Sequence, residues 1–371
     1  MPIRLFTSFA EVPSDIRASL SFPRQRDFFL SFEWFELLYQ SSLRLTLSPR
    51  IYVSLDDEQQ PLCAMFCATE REPSDRRLLS LGNFYTVRYG PSTCDEQPGA
   101  SVATERAIER SMRAVDALID HIANERPRWD HVRLNVLQAD SPEVGRVLQR
   151  FAKAGFAVDT FFQYENWYLT TTGEDFATYF SKRPSQLKNT ISRRQKKLEK
   201  AHKFRIAIAR YPSPMLDDMI RDFVAVYGSS WKVPEPFPDF IPTFARQAAA
   251  SGTLRLGVLY VDDKPAAAQL WVTADRKTMI YKLAYVEKLA ELGAGSILSK
   301  ELFRVAIDED HVGEIDYGIG SESYKKDWMS SVRTMHSLEA YNRRTAKGIF
   351  LSVAEDAKRL AKRMRASFHR A

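Results

Sequence analysis

The residues whose types and spacing could do chemistry lie between 281 and 328, in YKLAYVEKLAELGAGSILSKELFRVAIDEDHVGEIDYGIGSESYKKDW. The segment alternates like a strand, breaks at LGAGS (292–296), resumes with helical spacing, and returns to a short strand that ends in glycines. A helix N-terminus presents amides with no intrahelical partner and the positive end of the helix dipole. Gly293 and Gly295 let backbone come close to a ligand, so LGAGS ahead of Ile297 could hold a phosphate, with Ser296 either capping the helix or donating to it. The competing reading is a tight connection that binds nothing.

Lys282 sits in the preceding strand. Simple alternation puts Met279, Tyr281 and Leu283 on one face and Ile280, Lys282 and Ala284 on the other, so the lysine points either to solvent or into a cleft.

The elements that must position these residues follow an α+β order. In the first half FFLSFEWFELLYQSS has helical spacing, and RIYVSLDDEQQPLCAMFCATE reads as a hairpin turning at DDEQQ. LLSLGNFYTVRYGP is a strand interrupted by glycine. ATERAIERSMRAVDALIDHIANE is a long amphipathic helix and HVRLNVLQA a strand. SPEVGRVLQRFAKAG is a helix with Ser141 as N-cap, Pro142 in its first turn and Gly155 as its stop, and FAVDTFFQYENWYLTT is a long strand. The second half repeats the plan. Two helices span 173–202, the second starting near Pro184, and two more run through MLDDMIRDFVAVYGSSW and DFIPTFARQAAASG. Three strands follow (TLRLGVLYV, AAAQLWVTA, TMIYKLAYV), joined by DDKP and DRK, then the glycine turn, a helix, the strand EIDYG and a strand around TMHSLEAYN. The repeat of plan reads as a degenerate tandem duplication, with expected limits at residues 1–172, residues 173–345, and a basic C-terminal helix, 346–371.

Composition excludes several classes. With 371 residues, 44% apolar and 27% charged, the chain reads as an ordinary globular protein. It has no apolar run long enough to span a bilayer and no secretory signal pattern at MPIRLFTSFAEVPSD, so a cytoplasmic location is expected. Three cysteines cannot make a disulfide framework, and the four-residue spacing of Cys63 and Cys67 puts both on one strand face, as core. The six histidines show no HExxH pair and no zinc spacing, so no metal is expected.

The net charge of +6 is concentrated. Residues 182–203 carry nine Lys or Arg against Glu199, and residues 343–371 carry nine against Glu355 and Asp356. The remainder is acidic, which points to local anion binding rather than a nucleic-acid-coating surface. In the C-terminal segment Phe350, Val353, Ala357, Leu360, Met364 and Phe368 share one helical stripe, which either packs on its own domain or contacts a membrane surface.

The order of hairpin strands, a fourth strand, a glycine-rich turn opening a helix, and a fifth strand resembles the GNAT acyltransferase fold. Over roughly 160–330 the stretches SSWK (229–232), SGTLRLGVLYVDDKPAAAQLWV, YKLAY (281–285) and DYGIGSESYKKDW (316–328) are similar to the bacterial CelD/BioF2-like acyltransferases, relatives of the Fem aminoacyltransferases with paired GNAT domains. The N-terminal half resembles them only in FEWFE and LGNFYTVRYGP. The resemblance implies tandem GNAT-like domains, each a mixed, largely antiparallel sheet flanked by helices, and acyl transfer to an amine or hydroxyl.

Its implied co-substrate is acyl-CoA. The pantetheine arm would lie along Leu283, Ala284 and Tyr285, whose backbone amides could form an oxyanion hole, and the pyrophosphate would lie at Gly293, Ala294, Gly295 and Ser296. The family's Gln or Arg three residues before the first glycine is replaced here by Ala290.

Asp316, at the end of the fifth strand, is implied as a base or acceptor-positioning group, the alternative being a strand-end cap; Glu322 is the other candidate base. Tyr324 is implied as the acid for a departing thiolate or as an aromatic wall, with Lys325 beside it. Trp231, Lys232 and Lys282 are implied in binding an anionic acceptor such as a glycan or lipid precursor; Lys188 and Arg193 of the basic helix join them if its charge run captures phosphates, the alternative being a solvated face. Transfer from charged tRNA and a non-catalytic binding module are the alternatives; base-stacking aromatics are absent from the basic helix.

Overall fold

The computed structural model describes residues 1–71, 76–94, 105–171 and 173–368, with 359–368 by their helical backbone alone. The strands are β1 (Ile3–Phe6), β2 (Leu47–Leu55), β3 (Pro61–Glu70), β4 (Arg77–Ser80), β5 (Ser92–Thr93), β6 (His131–Gln138), β7 (Phe156–Thr170), β8 (Phe204–Ala209), β9 (Leu254–Val261), β10 (Lys264–Ala274), β11 (Lys277–Tyr285), β12 (Glu314–Asp316) and β13 (Ser331–Asn342). The helices are α1 (Ser14–Leu20), α2 (Phe32–Leu38), α3 (Glu105–Asn124), α4 (Pro142–Lys153), α5 (Phe176–Ser181), α6 (Ser185–Ala201), α7 (Pro214–Gly228), α8 (Phe240–Ala250), α9 (Ala294–Arg304), α10 (Lys325–Trp328) and α11 (Ala346–Phe368). The expected start of the long helix at Ala103, the candidate boundary at Thr172, and the side chains of Leu360, Met364 and Phe368 lie outside the described residues.

Local chemistry accounts for many of the boundaries. Ser141 Oγ accepts from the Val144 amide and Pro142 opens α4, which ends ahead of Gly155 at φ 87°. The β2–β3 turn is tied by Asp56, whose carboxylate accepts from the amides of Glu58 and Gln60. Asp262 and Asp263 close β9–β10, and Asp275 and Arg276 close β10–β11, each pair with positive φ at both positions, as a twisted two-residue hairpin demands.

The contacts divide the chain into two compact units, Met1–Gln163 with Thr334–Ala371, and Tyr164–Arg333. In the first, the strand order is β1-β2-β3-β4-β6-β13, with β5 on β3; β4 and β6 run parallel and the other pairs antiparallel. Phe35 of α2 stacks on Phe66 from one side of this sheet, and on the other Tyr52 meets His121 of α3 and Glu125 just beyond it. Cys63 and Cys67 are buried in β3, as their spacing indicated.

In the second unit the order is β8-β9-β10-β11-β12-β7, with β11 and β12 parallel and the rest antiparallel. The two orders are one pattern: four antiparallel strands, a helical crossover to a parallel fifth, and a final antiparallel strand. The strand that ends each half is exchanged. Residues 168–170 of β7 pair with β12, and residues 335–341 of β13 pair with β6. The expected limits at 172/173 and 345/346 therefore differ from the contact units, because the last strand of each half hydrogen-bonds in the other half's sheet.

The sequence reading also passed over β8, whose short FRIAIA run follows the charged end of α6 directly. Among the described residues no helix is long and apolar enough to cross a membrane, and no group of His, Cys, Asp or Glu could hold a metal.

Candidate active site

The site grows from the way β11 leaves its neighbours. Pairing with β10 continues to Tyr285, whereas pairing with β12 ends at Met279–Asp316. Gly318, at φ 63°, turns the chain away from β11 where a Cβ would already crowd the Ile280 carbonyl. A 3-10 turn, Glu287–Leu292, carries the chain from β11 to Gly293, which adopts the left-handed conformation at φ 69°. α9 then starts at Ala294, earlier than the sequence suggested, so Gly295 and Ser296 belong to its first turn.

The Gly293 amide is used by the Ala290 carbonyl at 3.1 Å. Among the described residues nothing accepts from the amides of Ala294, Gly295 and Ser296. Arg194 of α6 lies across Gly293, with its Cβ 3.2 Å from where a glycine Cβ would stand, and Tyr285 Cδ1 is equally close to that position on Gly295. The turn is fixed from beneath: Gln269 Nε2 donates to the Gly295 carbonyl (3.0 Å) and to Ser299 Oγ (2.8 Å), while Trp271 Nε1 donates to Gln269 Oε1. Three unpartnered amides at a helix N-terminus, beside two glycines and the aliphatic stem of Arg194, are an arrangement that could receive an anion.

A bulge sets the orientation of Lys282. Ile280 pairs with Trp271 and Lys282 with Leu270, which leaves Tyr281 as the extra residue. Directly paired residues share a face, so Lys282 lies opposite Ile280 rather than beside it, which corrects the simple alternation. Its ammonium is 2.6 Å from Glu235, and the Tyr227 hydroxyl hydrogen-bonds the same carboxylate. Burial holds Lys232 below the ordinary lysine value, assisted by the neighbouring Lys282 charge and opposed by Glu322 and Glu235. Trp231 stacks obliquely on Tyr285 at 4.5 Å.

Lys325 is buried and donates to the carbonyls of Ile319 (2.6 Å) and Gly320 (3.0 Å), with Glu322 at 2.8 Å. Burial lowers the Lys325 pKa against the pull of Glu322. Burial alone would raise Glu322, but the hydrogen bond from Lys325 and the charges of Lys325 and Lys232 outweigh it and leave it low. Tyr324, edge-on to buried Tyr317, has its phenol pushed upward by burial and by Glu322, so it stays protonated. The fold thus gathers Trp231, Lys232, Lys282, Tyr285, Glu322, Tyr324 and Lys325 from separate stretches of chain.

Three sequence expectations are relocated. Asp316 does not face an opening. It is buried; one carboxylate oxygen accepts from Asn166 Nδ2 (2.6 Å) and the Gly318 amide (2.7 Å), and the other is paired with Arg333. Arg333 also donates to Asn166 Oδ1 (2.6 Å) and Glu314 (3.1 Å) and lies over the Tyr168 ring. Both oxygens thus serve a buried network, and the bond from the Gly318 amide is the strand-end cap that stood as the alternative to a base. Lys188 donates to the Ser181 carbonyl near the start of α6. Arg193 is exposed, and its neighbour Arg194 is the one at Gly293.

The sequence reading missed Glu235, Tyr227, Gln269 and Arg333, and counted Arg194 only as one cation among those of the basic helix. The only advance signal was the polar Gln269 amid the apolar AAAQLWV strand, since a buried amide needs fixed partners.

A stability prediction follows from the lysines. Their folded pKa values lie below the ordinary lysine value, so above those folded values the unfolded chain holds more protons and folding stability rises with pH up to the unfolded value. Below that window the cost of burying each charge is fully present. Lys232→Met is therefore expected to gain stability over the parent at neutral pH and to lose that advantage toward the ordinary lysine pKa. Urea midpoints of both proteins across that range check it.

Residues 185–326 match the model of the acetyltransferase (GNAT) domain. No curated protein matches the chain. Among solved structures, FemX aligns with TM-score 0.59 at 8% identity over 91% of this chain and 97% of its own. A conserved protein of unknown function from Bacteroides thetaiotaomicron aligns at TM-score 0.56 and 12% identity over 92% and 100%. The C-terminal domain of a putative lysylphosphatidylglycerol synthetase from Agrobacterium fabrum aligns at 0.54 and 12% over 94% and 97%. At these identities the likenesses are of fold alone: mixed sheets flanked by helices.

Proposed function

We propose that the protein is an acyltransferase that takes its acyl group from acyl-CoA and delivers it to an amine or hydroxyl of a polar, anionic acceptor. The observation that carries this reading is the cradle at Gly293–Ser296, with Arg194 over it, next to the part of β11 that β12 does not follow. The amides of Ala294, Gly295 and Ser296 together with Arg194 suit a diphosphate, and the edge of β11 at Leu283–Tyr285 suits the amide-bearing arm that follows it. Acyl-CoA would supply an activated thioester there.

The chain's own residues then have separable tasks. Lys232 and Lys282 attract an anionic acceptor, and Trp231 and Tyr285 wall its approach. Glu322, an ionised carboxylate beside Lys325, accepts the proton that the acceptor loses. Tyr324, held protonated, offers a hydrogen bond to the sulfur, which departs as a thiolate and takes its proton from solvent. Lys325 keeps the 319–322 turn in place, and Asp316 acts at a distance by fixing the end of β12.

Purified protein is expected to show a rise in melting temperature with CoA, because a ligand that binds only the folded state stabilises it by mass action. It is also expected to release free thiol when given acyl-CoA and acceptor. No shift and no thiol release across a broad acyl-CoA panel would overturn the reading. Transfer from charged tRNA is the second reading, supported by the exposed Arg193, Lys196 and Lys197 of α6 and by Ala290 in place of the family's Gln or Arg. A salt-dependent tRNA filter-binding signal without a CoA shift selects it.

A further inference from the structure

Over its first turns, up to residue 358, helix α11 presents its apolar side to solvent. Its first turn is fixed on the unit formed by Met1–Gln163 and Thr334–Ala371. Just before it, the Asn342 amide donates to the Asp130 carbonyl (2.9 Å), Asn342 Nδ2 to the Trp129 carbonyl (2.8 Å), and Arg344 Nη2 to the Ala123 carbonyl (2.6 Å). Gly348 sits so near the carbonyls of Asn342 and Asp130 that no Cβ fits there. The rotation of the helix is thereby set.

The side turned toward the unit is Leu351, Ser352, Ala354 and Glu355. Ser352 is buried, and the other three border a cavity of about 500 Å³ whose far wall includes Arg133 and Glu339. The side turned outward carries Ile349, Phe350 and Val353, at 48%, 70% and 62% exposure. A helix that packs on its own domain has the reverse arrangement. The sequence prolongs the outward spacing through Ala357, Leu360, Met364 and Phe368, within a segment holding nine Lys or Arg against two acids.

We infer that α11 is a docking surface for an anionic lipid bilayer. The apolar stripe enters the boundary between headgroups and acyl chains, while the cations neutralise lipid phosphates. A second copy of the chain is a poorer occupant, since pairing two such stripes brings two strongly positive segments together. With no described helix able to cross a membrane, the association is peripheral.

The test is co-sedimentation of the full chain with vesicles of phosphatidylcholine alone and of phosphatidylcholine mixed with phosphatidylglycerol. Binding to the anionic vesicles is expected to be at least about tenfold tighter and to weaken with salt. Phe350→Glu with Val353→Glu is expected to weaken it by about tenfold or more. Both side chains are exposed, so circular dichroism should show an unchanged fold. Equal or absent binding to both vesicle types, or full binding by the double variant, overturns the inference. So does a dimer in light scattering that the double variant dissolves, which would assign the stripe to self-association. None of these readouts involves an acyl donor, so the result stands apart from that of the proposed activity.

Discussion

Asp316→Ala is expected to lower the unfolding free energy by about 3–5 kcal/mol, the usual cost of removing one partner from a buried ion pair. Its carboxylate meets Arg333, Asn166 and the Gly318 amide at once, so truncation leaves a buried guanidinium with Glu314 as its remaining carboxylate and Gly318 without its acceptor. Urea denaturation gives the size of the loss. Pairing Asp316→Leu with Arg333→Met should cost less than the two single changes summed, because each single change strands the other's charge. If Asp316 were instead the proton acceptor, Asp316→Asn would abolish turnover at nearly full stability. A folded, inactive Asn variant with an unshifted urea midpoint would restore that role and remove the structural one.

Gly293→Val is expected to reduce CoA affinity by on the order of 100-fold, or past detection by thermal shift. Two costs act together. A β-branched residue at φ 69° is strained by about 1–3 kcal/mol, and the chain relieves the strain by rotating out of the left-handed region, which re-aims the amides of α9's first turn. The new side chain also displaces Arg194 from the position it occupies across the glycine. Gly295→Ala provides the contrast: the nearest atom to its Cβ is Tyr285 Cδ1, at 3.2 Å, so a small shift of that ring absorbs it and affinity should change little. Equal CoA binding by Gly293→Val and the parent would move the donor site elsewhere.

The local parts of the site were legible in advance. The turns at Asp262–Asp263 and Asp275–Arg276, the Ser141–Pro142 helix start and the glycine turn before α9 are written in neighbouring residues, because backbone conformation there depends on side chains within a few positions. Where a local rule met a nonlocal event, the reading slipped. Strict alternation put Lys282 and Ile280 on one face, and the bulge at Tyr281, set by pairing with β10, separated them. A strand-end carboxylate suggested a base, and Arg333, brought in from the start of β13, made it one end of a buried ion pair.

The sequence by itself determined most of the elements and their kinds, β8 excepted, and the glycine turn that opens α9, since periodicity, caps and turn residues act over one or two turns of chain. Only the tertiary structure decided which final strand joins which sheet, which arginine lies over Gly293, and that Lys282 meets Glu235 rather than water. Those choices are made by hydrogen-bond ladders and charge pairs between residues far apart in sequence, whose strength depends on burial that no local window contains.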